Sequence, residues 1–440
     1  MEKLTFWSKQ LRWVLFPLFS LIPAVHAETA LVSDRDFWVG EFQVSEVSQK
    51  NLSLSQIRKG IETLYSGLPQ ESQLSPTQKD RLTHQALGFY SGISKKVDAF
   101  RQGSAKGKLT YKVNRHYLGF LNQVEDWDVS FPSLIQTPNG EPSNQVMAHF
   151  YTPQRFDVCR SPLPTLVIVH SSVDDQSGEV ELAQNLISIG ERLNVLLVYL
   201  PHYGPRRLSK PEPPHLADGS IDFNDMEQNE DFFTQGNDWN QLTSNVQQAM
   251  LDLHVAIDWA KSQTHVVDDQ QVYMLGLSLG GLLAPAYMGL DVDAVTGGLI
   301  LTVGGGDLAS VTSHYLVAHP KEIISKDFIK NGWNEEKVRL TLSAFDPVVW
   351  GHRIENKPIL WIGADQDELM WKSENHDKLL NVLNSSSNSV SEIWLESKHS
   401  PRDISIWEQF TQIFLPIQQF VLQKAKVPPP YNCYQPKRNK

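Results

Sequence analysis

The chain has 440 residues, which is enough for one large α/β domain with insertions or for two domains. Its composition, 41% hydrophobic and 20% charged, is that of an ordinary globular protein. The 39 basic and 50 acidic side chains give a net charge of −11, which argues against charge-driven binding to nucleic acid or to an anionic membrane surface.

The N-terminus has the pattern of a secretory signal peptide, predicted over residues 1–27. Basic residues precede the apolar stretch 13–22, which is too short and too interrupted by proline to span a bilayer comfortably. Ala27 offers a small residue for cleavage, so the mature chain is expected to begin at Glu28. We therefore predict an exported protein, periplasmic or secreted, with no integral membrane segment after cleavage.

Three further regions are predicted along the mature chain. Residues 28–127 are expected to form a mainly helical N-terminal extension, because apolar residues recur at helical spacing in 52–68 and in 77–100. The main domain is predicted over 128–425 and a C-terminal tail over 426–440.

The chain contains two cysteines, Cys159 and Cys433. In an exported protein they could form a disulfide that pins the tail to the main domain, or they could stay unpaired. Sequence alone does not give their separation, so both possibilities remain open.

Strand and helix patterns alternate through the main domain. An antiparallel pair, 128–135 and 146–151, flanks an Asn-Gly turn at 139–140, and the almost wholly apolar run 165–170 is typical of a parallel strand buried on both faces. Further strands are predicted at 195–199, 272–278, 298–303, 358–363 and 390–395, alternating with helices at 178–193, 242–261, 279–290, 374–383 and 404–424. The alternation predicts an α/β fold with a mostly parallel, doubly wound sheet flanked by helices.

Two long segments interrupt this alternation, at 204–240 and at 304–352. Long excursions from a compact sheet are usually lids or binding loops, and both would leave from the carboxyl ends of strands, where such folds bind ligands. We predict that they form insertions or a lid, with Gly304-Gly305-Gly306 as a flexible hinge.

The most informative motif is Gly276-Leu277-Ser278-Leu279-Gly280, which joins an apolar strand directly to a helix. A turn this tight strains the serine backbone and exposes its hydroxyl at the sheet edge. A serine needs a base and a carboxylate to become a nucleophile, and both follow downstream at strand ends. His399 is the candidate base, and Asp365 and Asp367 are the candidate carboxylates.

With this serine motif and the later aspartate and histidine, residues 128–424 resemble the α/β-hydrolase superfamily. The resemblance implies that Ser278 is the nucleophile, His399 the general base and acid, and Asp367 the orienting carboxylate. Asp367 is preferred to Asp365 because Asp-Glu-Leu at 367–369 resembles the segment that follows this strand in the family.

The resemblance also implies two backbone oxyanion donors. One is the N–H of Leu279, and the other is expected after the strand that ends at His170. Many relatives have His-Gly there, whereas this chain has His170-Ser171-Ser172, so Ser172 is the first choice and Ser171 the second.

Arg206 and Arg207 could bind a carboxylate or phosphate of a substrate at the mouth of the site, or pair with acidic residues of the first insertion. Those candidate partners are Asp222, Asp225 and Glu227. No metal-binding or nucleotide-binding motif is evident, so no metal and no cofactor are predicted.

These features predict an exported serine hydrolase that cleaves a small-molecule or lipid carboxylic ester through an acyl-enzyme, with no nucleic-acid partner. A peptidase or thioesterase of the same fold is an alternative, and so is a non-catalytic binding protein.

Overall fold

The computed structural model describes residues 36–50, 52–103, 105–117, 124–136, 142–153, 162–172, 177–188, 192–207, 239–318, 335–399 and 406–426. The predicted signal peptide and both cysteines lie outside these residues. The described strands form one ten-stranded sheet in the order β1-β2-β3-β4-β6-β5-β7-β8-β9-β10. They are β1 (Asp36–Gln43), β2 (Lys108–Tyr117), β3 (Val124–Pro132), β4 (Gln145–Pro153), β5 (Leu163–Val169), β6 (Asn194–Val198), β7 (Val267–Leu277), β8 (Gly298–Thr302), β9 (Pro358–Ala364) and β10 (Ser389–Leu395).

Helices lie between these strands and cover the sheet. The described helices are α1 (Leu54–Leu64), α2 (Pro76–Gln102), α3 (Ser177–Ser188), α4 (Trp239–Ser262), α5 (Leu279–Leu290), α6 (Leu308–Ala318), α7 (Glu335–Leu342), α8 (Pro347–Trp350), α9 (Asp377–Asn384), α10 (Ile406–Gln409) and α11 (Leu415–Lys424). A π-helical turn, Phe410–Phe414, joins α10 to α11. Among the helices that the structure describes, none combines the length and apolar character needed to cross a bilayer.

The parallel half of the sheet runs from β6 to β10, and apart from the partly exposed edge strand β10 it is buried on both faces. Alternate residues of one strand therefore enter two separate cores. In β5, Val167 packs in the core shared with α4 and α5, whereas Ile168 packs in the core shared with α3 and α11. This arrangement confirms the predicted mostly parallel, doubly wound sheet.

The N-terminal region differs from its prediction as a helical extension that precedes the sheet. Both predicted helices are present as α1 and α2, but β1 and β2 also pair antiparallel with each other and β2 pairs with β3. Residues 36–43 and 108–117 therefore extend the sheet of the main domain, and the boundary at 128 does not separate two structural units. The reason is that β3 would otherwise leave an unpaired edge over the core.

The second insertion contributes α6, α7 and α8, while 319–334 lies outside the described residues. In the first insertion the structure describes residues 204–207, which include a short 3-10 turn, and the segment 239–240, which begins α4. The predicted turn at 139–140 and the acidic residues Asp222, Asp225 and Glu227 are likewise outside the described part of the chain.

Candidate active site

Ser278 occupies a sharp turn between β7 and α5. Its backbone has φ 50° and ψ −108°, a conformation that L residues rarely adopt. The turn is possible because Gly280 follows: a Cβ there would lie 1.9 Å from the carbonyl oxygen of Val169 in the neighbouring strand. The N–H of Gly280 donates to the carbonyl of His170 at 3.0 Å, which ties the start of α5 to the end of β5.

A second strained residue lies beside this turn. Val303, just past the end of β8, has φ 45°, and a β-branched residue is a pronounced outlier in this region. Its N–H donates to the carbonyl of Ile362 at 2.9 Å, and the N–H of Ser278 donates to the carbonyl of Thr302 at 3.0 Å. Backbone strain of this kind concentrates at functional sites, where surrounding hydrogen bonds hold it in place.

The hydroxyl of Ser278 contacts His399, which follows β10. Ser278 Oγ lies 2.7 Å from His399 Nε2. On the other side of the ring, His399 Nδ1 lies 2.9 Å from each carboxylate oxygen of Asp367. Since an ionised carboxylate only accepts hydrogen bonds, Nδ1–H donates to Asp367 and Nε2 accepts from the serine hydroxyl.

Asp367 and Asp365 have different surroundings although both follow β9. The Asp367 side chain is 3% exposed, and its Oδ1 accepts the N–H groups of Leu369 and Met370 at 2.8 Å each. Asp365 is exposed, and its backbone N–H pairs with the carbonyl of Leu395 at 3.0 Å. The structure therefore brings Asp367, the predicted residue of the two, to the histidine.

Glu368 is a further residue at this site that sequence reasoning did not identify. Its Oε2 accepts the backbone N–H of His399 at 3.2 Å. The signal was present, because Glu368 directly follows the candidate acid, but its role depends on how the loops after β9 and β10 meet. The contact fixes the backbone of the histidine loop against the acid loop.

The two predicted oxyanion donors lie on either side of this serine turn. Leu279 is the first residue of α5, so its N–H has no acceptor within the helix. In the loop after β5, the N–H and hydroxyl of Ser171 both donate to the buried carboxylate of Glu179. Ser171 N–H is therefore engaged elsewhere, and Ser172, which is exposed, stays the predicted second donor.

Solved structures with a similar fold include two esterases. An acetyl xylan esterase from Paenibacillus sp. R4 matches with a TM-score of 0.55 and 17% sequence identity, covering 85% of this chain and 100% of that one. Acetyl xylan esterase 1 from Thermoanaerobacterium sp. JW/SL YS485 matches with a TM-score of 0.51 and 13% identity, covering 84% of this chain and 98% of that one. No protein-family model matches the sequence, and no curated protein matches it.

This chain has the α/β-hydrolase fold. The serine, acid and histidine lie at the carboxyl ends of β7, β9 and β10, at the edge of the sheet where this fold places its catalytic groups. The chain order Ser, Asp, His is also the order of that fold.

His170, which precedes the predicted oxyanion loop, has a structural role. Its ring is fully buried, Nε2 accepts the N–H of Leu200 at 2.9 Å, and Nδ1 contacts the carbonyl of Ser171. Burial lowers the pKa of His170 and keeps the ring neutral, as both hydrogen bonds require.

Arg206 does not lie at the mouth of the site, contrary to the alternative of a substrate contact, while the acidic residues proposed as its other partners lie outside the described residues. Its side chain is fully buried and its Nη2 lies 2.7 Å from Asp252 Oδ2 on α4. Nη1 donates to the carbonyl of Tyr199 at 2.7 Å. Sequence reasoning failed here because an arginine beside an acidic insertion gives no indication of a buried partner 46 residues away.

The second insertion of this α/β-hydrolase fold contacts the acid loop. His314 of α6 lies 3.1 Å from the carbonyl oxygen of Leu369, and its ring stacks on Trp371 with 3.9 Å between centroids. Ser310 of the same helix donates to Glu374 at 2.7 Å. Helix α6 thus packs against the loop that holds Asp367.

Proposed function

We propose that this protein is a serine hydrolase that cleaves carboxylic esters. The observation that carries the proposal is the continuous hydrogen-bonded chain from the strained Ser278 through His399 to the buried Asp367, with separations of 2.7 and 2.9 Å. Such a chain converts an unreactive hydroxyl into a nucleophile. A glycine-rich turn with an incidental serine would not require a histidine and a buried carboxylate in line with it.

In the first half-reaction His399 Nε2 accepts the proton of Ser278 while Oγ attacks the ester carbonyl. Asp367 stabilises the imidazolium that forms and holds the ring orientation. The N–H of Leu279, together with that of Ser172, stabilises the oxyanion of the tetrahedral intermediate. His399 then donates its proton to the leaving alcohol, which leaves an acyl group on Ser278.

In the second half-reaction His399 takes a proton from water, and the resulting hydroxide attacks the acyl carbonyl. Collapse of the second intermediate releases the acid and returns the proton to Ser278. The proton transfers use Ser278, His399 and Asp367, each within hydrogen-bonding distance of the next, so these steps require no cofactor.

The choice of an ester over a peptide bond is supported by the two acetyl xylan esterases, whose full length this chain nearly covers. Acetyl esters are therefore the first substrates to test. The similarity is one of fold, and a fold does not determine the alcohol part of the substrate, which has to be measured.

The test compares the hydrolysis of p-nitrophenyl esters of increasing acyl length with that of the matching anilide. We expect ester turnover by the wild type, and a loss in kcat of about a million-fold in Ser278→Ala and His399→Ala. Ser391→Ala, which removes an exposed serine on β10, is the matched control and should keep wild-type kcat. Faster turnover of the anilide than of the acetyl ester would favour a peptidase, and no turnover of either would argue for a binding protein.

We also propose that the mature protein is exported. The support is the basic and apolar pattern of residues 1–27, which precedes every structural element described. Expression with its own N-terminus in a bacterial host, followed by N-terminal sequencing, should give Glu28 as the first residue. An intracellular protein that retains residues 1–27 would contradict the proposal.

A further inference from the structure

A cluster of two aspartates and two histidines lies on the sheet away from the serine site. It consists of His116 on β2, Asp126 and Asp128 on β3, and His149 on β4. In the antiparallel register His116 faces Asp126 and Asp128 faces His149, so all four side chains project from one face. Their side chains are 11% to 35% exposed, which leaves the cluster accessible to ions in solution.

The donor atoms converge on one point. His149 Nδ1 lies 3.0 Å from Asp126 Oδ1 and 3.0 Å from Asp128 Oδ1, and the three ligand atoms all lie within 4.8 Å of one another. Nitrogen and oxygen ligands about 2.1 Å from a tetrahedral metal ion are about 3.4 Å apart. The two 3.0 Å separations would therefore need to open by only a few tenths of an ångström to admit a single ion.

The rest of the cluster holds these groups in place. His116 Nε2 lies 2.7 Å from Asp128 Oδ2, the carboxylate oxygen that does not face His149. The His149 ring is stacked with Tyr151 at 5.7 Å and meets Tyr199 edge-on at 5.6 Å between centroids. Outer hydrogen bonds and ring packing of this kind orient the ligands of metal sites.

Without a metal ion, a proton on His149 Nδ1 would lie between the three groups. Burial disfavours a charged His149, but the hydrogen bonds and charges of Asp126 and Asp128 outweigh it and raise the pKa of His149 to about 10. A single Nδ1–H serves two carboxylates poorly, because a hydrogen bond weakens steeply away from linearity. A divalent cation instead accepts a lone pair from all three groups and balances both negative charges.

We propose that Asp126, Asp128 and His149 bind a divalent transition-metal ion, preferably Zn²⁺, with water completing its coordination and His116 positioning Asp128. A mixed imidazole and carboxylate set favours zinc over calcium, which takes six to eight oxygen ligands. The ion would link β3 to β4, so its role is to stabilise this part of the sheet.

Sequence analysis predicted no metal because the residues of the cluster are at positions 116, 126, 128 and 149, with none of the close spacings of known zinc motifs. Their proximity depends on the register of three antiparallel strands. The one local signal is Asp-x-Asp within a strand, which puts two carboxylates on the same face.

Titration of the EDTA-treated full-length protein with ZnCl₂, followed by calorimetry and by thermal unfolding, tests this proposal. We expect the wild type to bind zinc at this site and to gain thermal stability that EDTA reverses. Asp126→Asn, which keeps the side-chain shape, and His149→Gln, which removes the ring nitrogen ligand, should each weaken this binding by about 100-fold or more, and His116→Gln by about 10-fold. His84→Gln, which removes an exposed histidine of α2, should bind zinc as the wild type does.

Thermal unfolding in EDTA separates metal binding from folding. The variants should unfold within a few degrees of the wild type without metal, while the zinc-induced stabilisation is lost in Asp126→Asn and His149→Gln. If wild-type protein shows no heat of zinc binding and no increase in thermal stability with zinc, the proposal is overturned, and the cluster is an ion pair bridged by a proton. Equal zinc binding by wild type and His149→Gln, or stabilisation by CaCl₂ but not by ZnCl₂, would overturn it as well.

Discussion

At the scale of single residues, the carboxylate of Asp367 connects the acid loop to the histidine. It accepts two backbone N–H groups of its own loop and the Nδ1–H of His399, and it is shielded from water. These donors hold the carboxylate in place, so Asp367 is positioned to stabilise the imidazolium that forms during the reaction. The exposed Asp365, two residues earlier, has no such contacts with His399 among the described residues.

Substitution of the two aspartates separates their roles. Asp367→Asn should lower kcat for ester hydrolysis by about 10⁴-fold, because an amide no longer fixes the productive tautomer of His399. Asp365→Asn, the matched control, should keep kcat close to that of the wild type. Steady-state kinetics measures both, and an equal loss in the two variants would contradict the assignment of Asp367.

Arg206 supports the fold from a buried position rather than contacting substrate. Arg206→Met leaves Asp252 as an unpaired charge, 2% exposed, so we expect a loss of about 3–5 kcal/mol in the free energy of unfolding. The double variant Arg206→Met/Asp252→Leu should recover much of this loss, since no buried charge remains. Urea unfolding measures both values. An unchanged stability together with a raised KM for anionic esters would instead place Arg206 in the substrate site.

The central residues of the site could be predicted because each lies beside a recognisable strand end. Ser278 has the glycine motif, and Asp367 and His399 directly follow predicted strands. The contacts of Glu368 and Glu179 could not be predicted, because the backbone N–H groups that they accept, those of His399 and Ser171, are positioned by loops whose conformation is not evident from the sequence. Catalytic roles stay predictions until the variants are measured.

At the scale of secondary-structure elements, the strand-to-helix turn at Ser278 depends on close packing between the backbones of β5, β7 and α5. Gly280 approaches the end of β5, and a Cβ at Gly276 would lie 2.3 Å from the carbonyl oxygen of Gly280. The strand β7 and helix α5 can therefore meet at this sharp angle only if both positions lack side chains. This packing holds Ser278 in its strained conformation.

Gly280→Ala should disrupt this turn. Because the new Cβ would lie 1.9 Å from backbone, the chain must shift, and we expect lower stability and a large loss of kcat. Gly88→Ala is the matched control, since it lies in α2 with nothing within 4 Å of the new Cβ, and should stabilise the protein by about 0.5–1 kcal/mol. Thermal unfolding and ester kinetics measure both effects. A Gly280→Ala enzyme with wild-type activity would refute this view of the turn.

The strands of the parallel half could be predicted because each forms an apolar run. β1 and β2 do not have this pattern, and they were not predicted. β2 buries one face, so its apolar and polar residues alternate and it forms no apolar run. In the edge strand β1 the short run Phe37-Trp38-Val39 has two exposed members, Phe37 and Val39, and does not indicate a buried strand. In β2, Leu109, Tyr111 and Val113 are buried while lysine and threonine lie between them. This alternation was visible in the sequence and would have indicated a strand.

At the scale of the whole molecule, buried polar contacts attach the N-terminal segment to the main domain. His254 of α4 contacts Asp291 at 2.7 Å and the carbonyl of Ser45 at 3.1 Å, so both ring nitrogens face acceptors. Arg353 donates to the carbonyls of Gly289 and Lys50 at 2.7 Å each. These contacts could not be predicted from the sequence, because each one joins residues distant in the chain.

Stability should consequently depend on pH through His254. Burial opposes its charge, but the hydrogen bond to Asp291 and the nearby carboxylates raise its pKa from 6.5 to about 9. The charged ring therefore contributes full stability below pH 6.5, and this contribution is lost as the pH rises through about 9. We expect a decrease on the order of 3 kcal/mol over this interval.

Urea unfolding of the wild type and His254→Gln at a series of pH values measures this contribution. Other groups that titrate in this interval affect both proteins, so the difference between the two curves isolates His254. The difference should shrink as the pH rises from about 6.5 to 9. Curves that stay parallel would show that His254 is neutral in the folded protein.

The measurement that tests the central claim most directly is covalent labelling of the purified protein by a fluorophosphonate, located by peptide mass spectrometry. An activated serine reacts with this probe, whereas an ordinary hydroxyl does not. The account predicts one adduct on Ser278 in the wild type, its loss in Ser278→Ala and His399→Ala, and its retention in Ser391→Ala. Folded wild-type protein that takes up no probe, or takes it up at a different serine, would contradict the assignment of Ser278 as an activated nucleophile.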